Sequence, residues 1–429
     1  MIFVPYEKFN DIELIGEGGF SKIYKATWVD CKIDSNLCTL DFSLLNESKI
    51  VALKKLNNSK NVTSKELNEL RMFYHYCLSG KKLSNIYYDD DRLVNIYYGI
   101  TRDPITQDII FIMPYYNSDL VHDIYENFYD TSWYKKISSL RNIISGLKEI
   151  HGVNIIHRDL HSGNILLGDY YSFFHDVLKI CDLGTSKSAT ESTSDEEEEE
   201  EIYGVIPYVA PEVLRGKKYT KASDIYSFGI IMWELMVGRR PFWDKNHDIE
   251  LIIEICDGLR PPIITNAPDG YTDLMKECWH SDPEKRPTTV EVLKRVGEIK
   301  EIEGRKSNKS NETKIIKSSD IGPVTTNNPD ATYKSRYLSG MIKSAASTRS
   351  QSISTSELDQ LDFYQRNSND KRKFEDGDSF DNGISNKKIK LFVDENNGYI
   401  TKELKFDIDK NSGQSKNSGY ITREIGFDI

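Results

Sequence analysis

The stretch that most constrains this chain is Ile156-His157-Arg158-Asp159-Leu160-His161-Ser162-Gly163-Asn164-Ile165-Leu166-Leu167. It sets a carboxylate and a carboxamide five positions apart, between two apolar runs. Apolar flanks of this kind anchor a tight loop in a core, and the polar residues between them are held out toward a cleft. The bland alternative is a helix–loop–strand connection that merely contains polar residues. The rest of the chain decides between them.

Composition places a boundary. The chain has 429 residues, too many for one small domain but suited to a large two-lobed unit plus a tail. All five Trp and all six Cys lie at or before Trp279, so a packed core is expected to end near residue 300. The cysteines show neither metal-ligand spacing nor a paired framework, and no secretory leader is recognised. Reduced thiols in a cytoplasmic or nuclear setting are expected. No stretch is long and apolar enough to span a bilayer as a helix. The formal charge of −11 comes largely from Asp195–Glu201, seven consecutive carboxylates, without which it would be −4. The charge therefore marks one segment and does not argue for a nucleic-acid partner.

Residues 12–28 alternate as two strands joined by a glycine turn, and Gly16, Gly18 and Gly19 let backbone approach a phosphate closely. A plain hairpin turn reads the same way. No Gly-Lys-Ser/Thr follows, so this is not a Walker loop. After a polar insertion over 29–49, Val51-Ala52-Leu53-Lys54 reads as a strand ending in lysine. Residues 64–78 carry helical spacing, with Leu67, Leu70, Phe73 and Cys77 on one side. Glu69 or Glu66 on that helix is placed to pair with Lys54. Glu69 is preferred, because Phe73 would then face the core. Ile109 to Pro114 is an apolar strand, and Trp133 to His151 a long amphipathic helix. Leu178 to Gly184 is a short strand ending Asp182-Leu183-Gly184.

In this order the motifs resemble the eukaryotic protein kinases. His157-Arg158-Asp159 with Asn164 matches the catalytic loop, and Val51-Ala52-Leu53-Lys54 the lysine strand. Asp182-Leu183-Gly184 matches the metal-binding Asp element with Leu for Phe. Ala210-Pro211-Glu212, Asp224 and Arg286 follow in family order. Ser21 stands where the third loop glycine would be. The Gly-Glu-Gly-Gly-Phe-Ser start and Cys278-Trp279-His280-Ser281-Asp282-Pro283 look most like the tyrosine-kinase-like branch.

The resemblance implies an α+β, bilobal fold over residues 1–300. A small β-rich N-lobe would cover about 5–113 and a larger helical C-lobe about 117–300, followed by a mostly disordered tail, 301–429. It implies ATP and Mg²⁺, with Lys54 and Glu69 clamping phosphates and Asn164 and Asp182 holding metal. Asp159 would meet the substrate hydroxyl. Gly16, Gly18 and Gly19 would cover the phosphates, and Ile23, Ala52, Met113, Tyr115 and Tyr116 would enclose the adenine. Asp119 would reach the ribose. Asp224 would tie down the catalytic loop, and Arg286 would pair with Glu212.

Serine/threonine kinases usually carry a lysine and a threonine where His161 and Val205 stand. Tyrosine kinases carry a Trp and a Pro where Tyr208 and Val209 stand. The branch resemblance favours Ser/Thr over Tyr. The acidic run falls in the segment equivalent to an activation loop. It is expected to be a solvated, self-repelling stretch, to supply permanently the charge phosphorylation normally adds, with Arg158 as partner, or to recruit basic protein substrates. A pseudokinase or scaffold is the rival reading.

Residues 301–429 turn polar and sparse in apolar side chains, too sparse to offset their ordering entropy. Asn397–Ile408 recurs as Ser418–Ile429. These repeats read as docking segments or as a duplication without function. Basic clusters at 371–373 and 387–390 read as a tail feature or, as the minority reading, a nuclear import signal.

Overall fold

The computed structural model describes residues 2–17, 21–31, 47–61, 67–79, 93–168, 177–189, 201–307 and 311–349. The first lobe is a six-stranded sheet. In chain order its strands are β1 (Ile2–Phe3), β2 (Phe9–Glu17), β3 (Ser21–Cys31), β4 (Glu47–Leu56), β5 (Gly99–Arg102) and β6 (Ile109–Pro114). Their spatial order is β1-β5-β6-β4-β3-β2. All pairings are antiparallel except β1 with β5. The register aligns Ile23 with Lys54 and Ala52 with Met113, so the strand ends share one mouth of the sheet. Helix α1 (Asn68–Ser79) packs Leu70, Met72, Phe73 and Tyr76 inward.

The second lobe is helical. After β7 (Ser118–Asp119) come α2 (Leu120–Asn127) and α3 (Trp133–Gly152), whose Ile137, Leu140, Ile144, Leu147 and Ile150 form the buried stripe its spacing predicts. Short strands β8 (Ile155–Ile156), β9 (Ile165–Gly168) and β10 (Val177–Ile180) flank the catalytic-loop stretch. Strands β11 (Lys187–Ser188) and β12 (Tyr203–Gly204) and helix α4 (Pro211–Leu214) follow. Helix α5 (Lys221–Val237) is buried almost throughout, as a helix apolar on every side must be. A Thr220/Ser223 capping box starts it, and Gly238, at φ 75°, ends it. Helices α6 (Ile249–Cys256), α7 (Tyr271–Cys278) and α8 (Thr289–Ser307) complete the lobe.

Packing continues past residue 300, which corrects the boundary expected there. Helix α8 runs to Ser307, and residues 311–349 lie against the helical lobe. Ile321, Tyr333, Leu338, Ile342 and Ala345 are buried. Gly322 N–H donates to the Val237 carbonyl at 2.7 Å, and Asn328 N–H to that of Trp243 at 2.9 Å. Strand β13 (Arg336–Tyr337) pairs antiparallel with β12, and a last helix spans 339–349. A few apolar residues, each seated in its own groove, hold a segment whose average composition is polar. The repeats, both basic clusters, residues 190–200 of the acidic segment, Glu66, Gly18 and Gly19 lie outside the described residues.

Candidate active site

The catalytic-loop stretch is held from inside the core. Asp224, near the start of α5, accepts the backbone N–H groups of His157 and Arg158, each at 2.9 Å. It also lies 2.7 Å from His151 Nε2. Burial alone would raise its pKa. The His151 hydrogen bond and the neighbouring charges outweigh that and hold the carboxylate below its ordinary range. The bond fixes Arg158 at φ 73°, a left-handed conformation costly for a side chain of this size. Downstream, Arg286 forks onto Glu212 at 2.6 and 2.7 Å, a buried bidentate pair.

Lys54, Glu69, Asn164 and Asp182 line one cleft, and Asp159 lies close enough to Asp182 and Lys54 to feel their charges. Lys54 Nζ is 2.9 and 3.0 Å from the two Glu69 oxygens and 3.2 Å from Asp182 Oδ1. Burial would lower the lysine pKa, but Asp182 and Glu69 raise it on balance, so the ammonium stays charged. Asp182 sits at φ 61° and accepts the Gly184 N–H at 3.1 Å. Asn164 Nδ2 donates to the Asp159 carbonyl at 2.9 Å, which turns its Oδ1 acceptor the other way. Asp159 is buried, and burial, then the Asp182 charge, pushes its carboxyl up to about 7. A hydrogen bond from the Ser335 hydroxyl and the charge of Lys54 act in the opposite direction. Ile23, Ala52, Met113, Tyr115 and Tyr116 line the same cleft, as does Leu166 from below. Gly16 pairs with Ile23 at the end of β2.

Asp119 corrects an expectation. It is 1% exposed, and its carboxylate caps α2 by accepting the His122 N–H at 2.9 Å, with His122 Nδ1 also at 2.9 Å. Buried and committed to that cap, the carboxylate is not open to a ribose. His161 replaces the usual lysine with a buried imidazole. Burial and the nearby Arg240 push it down to about 3, so it adds no positive charge. Arg158 donates to the Glu201 backbone carbonyl at 3.4 Å and stacks on the Tyr219 ring.

Several residues that the sequence reading did not single out shape the site. Tyr97 O–H donates to Glu69. Asn95 Nδ2 approaches the Met113 sulfur at 3.5 Å and its Oδ1 accepts from Tyr116. Asn68 Nδ2 donates to the Gly184 and Ser186 carbonyls at 2.8 and 2.9 Å, tying α1 to the segment after Asp182. Tyr97 and Asn95 sit in a mixed polar–apolar run that carries no motif, and only the fold brings them here. Tyr333 and Ser335 come from the far tail.

Among the described residues no group of three or more His, Cys, Asp or Glu is placed to hold a metal alone. One carboxylate and one carboxamide suit Mg²⁺ instead, which keeps several waters and shares the phosphates of a nucleotide. A family model described as protein tyrosine and serine/threonine kinase matches residues 9–296. The chain belongs to the protein kinase family.

Relatives of this kinase agree with its resemblance to the tyrosine-kinase-like branch. A probable serine/threonine-protein kinase of Dictyostelium discoideum is 30% identical over 305 residues, 68% of this chain and 29% of that protein. Mitogen-activated protein kinase kinase kinase 7 of Bos taurus is 28% identical over 298 residues, 68% of this chain and 44% of that protein. Ephrin type-B receptor 1 of Gallus gallus is 37% identical over 161 residues, 37% of this chain and 16% of that protein. This kinase thus spans less than half the length of each. No described helix is long and apolar enough to cross a membrane.

Proposed function

We propose that this chain transfers the γ-phosphoryl group of ATP to serine or threonine hydroxyls of proteins. The observation that carries the reading is the meeting of Lys54, Glu69, Asn164 and Asp182 in one cleft, with Asp159 beside them. Bound Mg²⁺ would neutralise charge on the phosphates. Lys54, oriented by Glu69, clamps phosphate oxygens, and Asn164 and Asp182 are the metal-holding pair. Asp159 orients the acceptor hydroxyl and takes its proton. Ile23, Ala52 and Met113 shelter the adenine, with the backbone at Tyr115 and Tyr116 offering its hydrogen bonds.

The name of the Dictyostelium relative supports Ser/Thr over Tyr. A scaffold without catalysis would be expected to lack one of these groups, and Lys54, Asp159, Asn164 and Asp182 are all present. Asp159→Ala tests the reading. Phosphorylation of a generic serine-containing basic protein with Mg²⁺ and ATP should fall ~10²–10⁴-fold, while ATP binding, read by thermal shift, persists. Equal rates for the variant and the parent chain would sink the reading.

A further inference from the structure

The tail segment 331–339 lies on the acceptor side of the catalytic loop. Strand β13 pairs with β12, whose Gly204 stands against Asp159: a β-carbon there would come within 3.9 Å of Asp159 Oδ1. Leu338 N–H donates to the Ile202 carbonyl at 2.8 Å, and Ile202 N–H donates to Ser339 Oγ at 2.9 Å. On the other flank the Thr332 carbonyl is 2.9 Å from His247 Nδ1, and Tyr333 O–H donates to the Pro241 carbonyl at 2.9 Å. Arg240 stacks on the Tyr333 ring, and Arg336 donates to the His247 carbonyl. Between these fixings Ser335 is 4% exposed, its hydroxyl hydrogen-bonded to the Asp159 carboxylate. A serine in an extended segment, hydrogen-bonded to the candidate base and fastened on both sides, has the placement of an acceptor.

We infer that Ser335 is an intramolecular phosphorylation site, and that residues 331–339 fill the protein-substrate groove in cis until it is modified. The inference rests on the kinase reading above and names one substrate of that site. In the step, a bond forms between Ser335 Oγ and the γ-phosphorus. The bond from that phosphorus to the β-phosphate oxygen breaks, and ADP leaves. The hydroxyl proton passes to Asp159 and then to solvent. The product is a phosphoserine of charge about −1.5 to −2 set beside Asp159 and near Asp182. Like-charge repulsion in a buried site then drives the segment out. Among the described residues its β-pairing to the lobe is two residues long, and the repulsion has to overcome that pairing together with the Tyr333, Arg336 and Leu338 contacts.

The test uses the full chain. It is incubated with Mg²⁺ and ATP, phosphosites are mapped by mass spectrometry, and hydrogen exchange is followed over residues 333–338. A serine-containing basic peptide is present in a parallel reaction. Ser335 should be modified at a rate per molecule unchanged by tenfold dilution. Exchange at 333–338 should quicken at least tenfold after modification, and also in Ser335→Glu without nucleotide. Leu338→Glu, which puts a charge at a fully buried position, should raise phosphorylation of the peptide about tenfold. Peptide phosphorylation with Ser335 untouched overturns the inference and leaves the kinase reading standing. So does modification of Ser335 at a rate proportional to concentration. No phosphorylation of peptide or tail, in either the parent chain or Leu338→Glu, removes both.

Discussion

Two buried charged side chains in the helical lobe are treated in opposite ways. Asp224 is 1% exposed, yet three donors meet its carboxylate: the His157 and Arg158 N–H groups and His151. Lys136, on α3, is 2% exposed, and its Nζ has no hydrogen-bond partner among the described residues. It sits 3.6 Å above the Phe128 ring and 5.5 Å from that of Trp133. Burial pushes this lysine down to about 7, only partly opposed by Asp123, whereas Asp224 is held ionised. A buried charge that organises backbone around Asp159 is fully matched, and one with no such task is half neutralised by its surroundings.

Breaking the matched site should have the larger effect. Asp224→Ala leaves two buried backbone donors and an imidazole without their acceptor. At ~1–3 kcal/mol for each stranded group, and allowing for non-additivity, a loss of about 3–5 kcal/mol is expected. Urea denaturation measures it. Activity should fall as well, because Arg158 then has nothing to hold it at φ 73°. A loss under about 1 kcal/mol would show that the loop is held by its flanking apolar strands instead.

Next in size is Lys136→Met. Methionine keeps most of the volume and removes the amine. The variant loses the ring contact, worth up to ~2 kcal/mol when desolvated, but sheds the larger cost of a buried, unpaired cation. A net gain of about 1–2 kcal/mol at neutral pH is expected by the same denaturation assay. Destabilisation would mean that the ring contact outweighs the burial cost, and the contrast with Asp224 would then fail.

The legible part of this molecule follows from motif length. Lys54, Asp159, Asn164 and Asp182 each sit in a short run whose spacing is dictated by one local turn or strand end; Lys54, Asn164 and Asp182 line one cleft, and Asn164 Nδ2 ties them to the Asp159 backbone. Glu69 was separable from Glu66 because Phe73, one turn on, faces inward. Asp119 was misread because a helix-capping aspartate and a ribose-binding one have the same local sequence. Only the direction of the carboxylate, toward the His122 N–H, distinguishes them. The packed stretch 311–349 was not legible for another reason. Averaged hydrophobicity measures whether a segment can build its own core. It says nothing of whether a few side chains, such as Tyr333 and Leu338, fit grooves more than ninety residues away in sequence.

The pH dependence of stability sharpens the contrast further and carries the smallest effect per step. An unfolded lysine titrates near 10.4 and folded Lys136 near 7. Between those values the unfolded chain binds the extra proton, so stability rises with pH across the window, by at most about 1.4 kcal/mol per pH unit from this group. Below about 7 both states are protonated and the slope vanishes. Asp224 behaves oppositely at the acid end. Its contribution is complete above the ordinary aspartate pKa and is lost as pH falls through its lowered value. Lys136→Met should therefore flatten the stability curve between pH 7 and 10 and leave the acid limb in place. If the variant keeps the alkaline slope, another group is its source, and Lys136 is as well matched in the fold as Asp224 is.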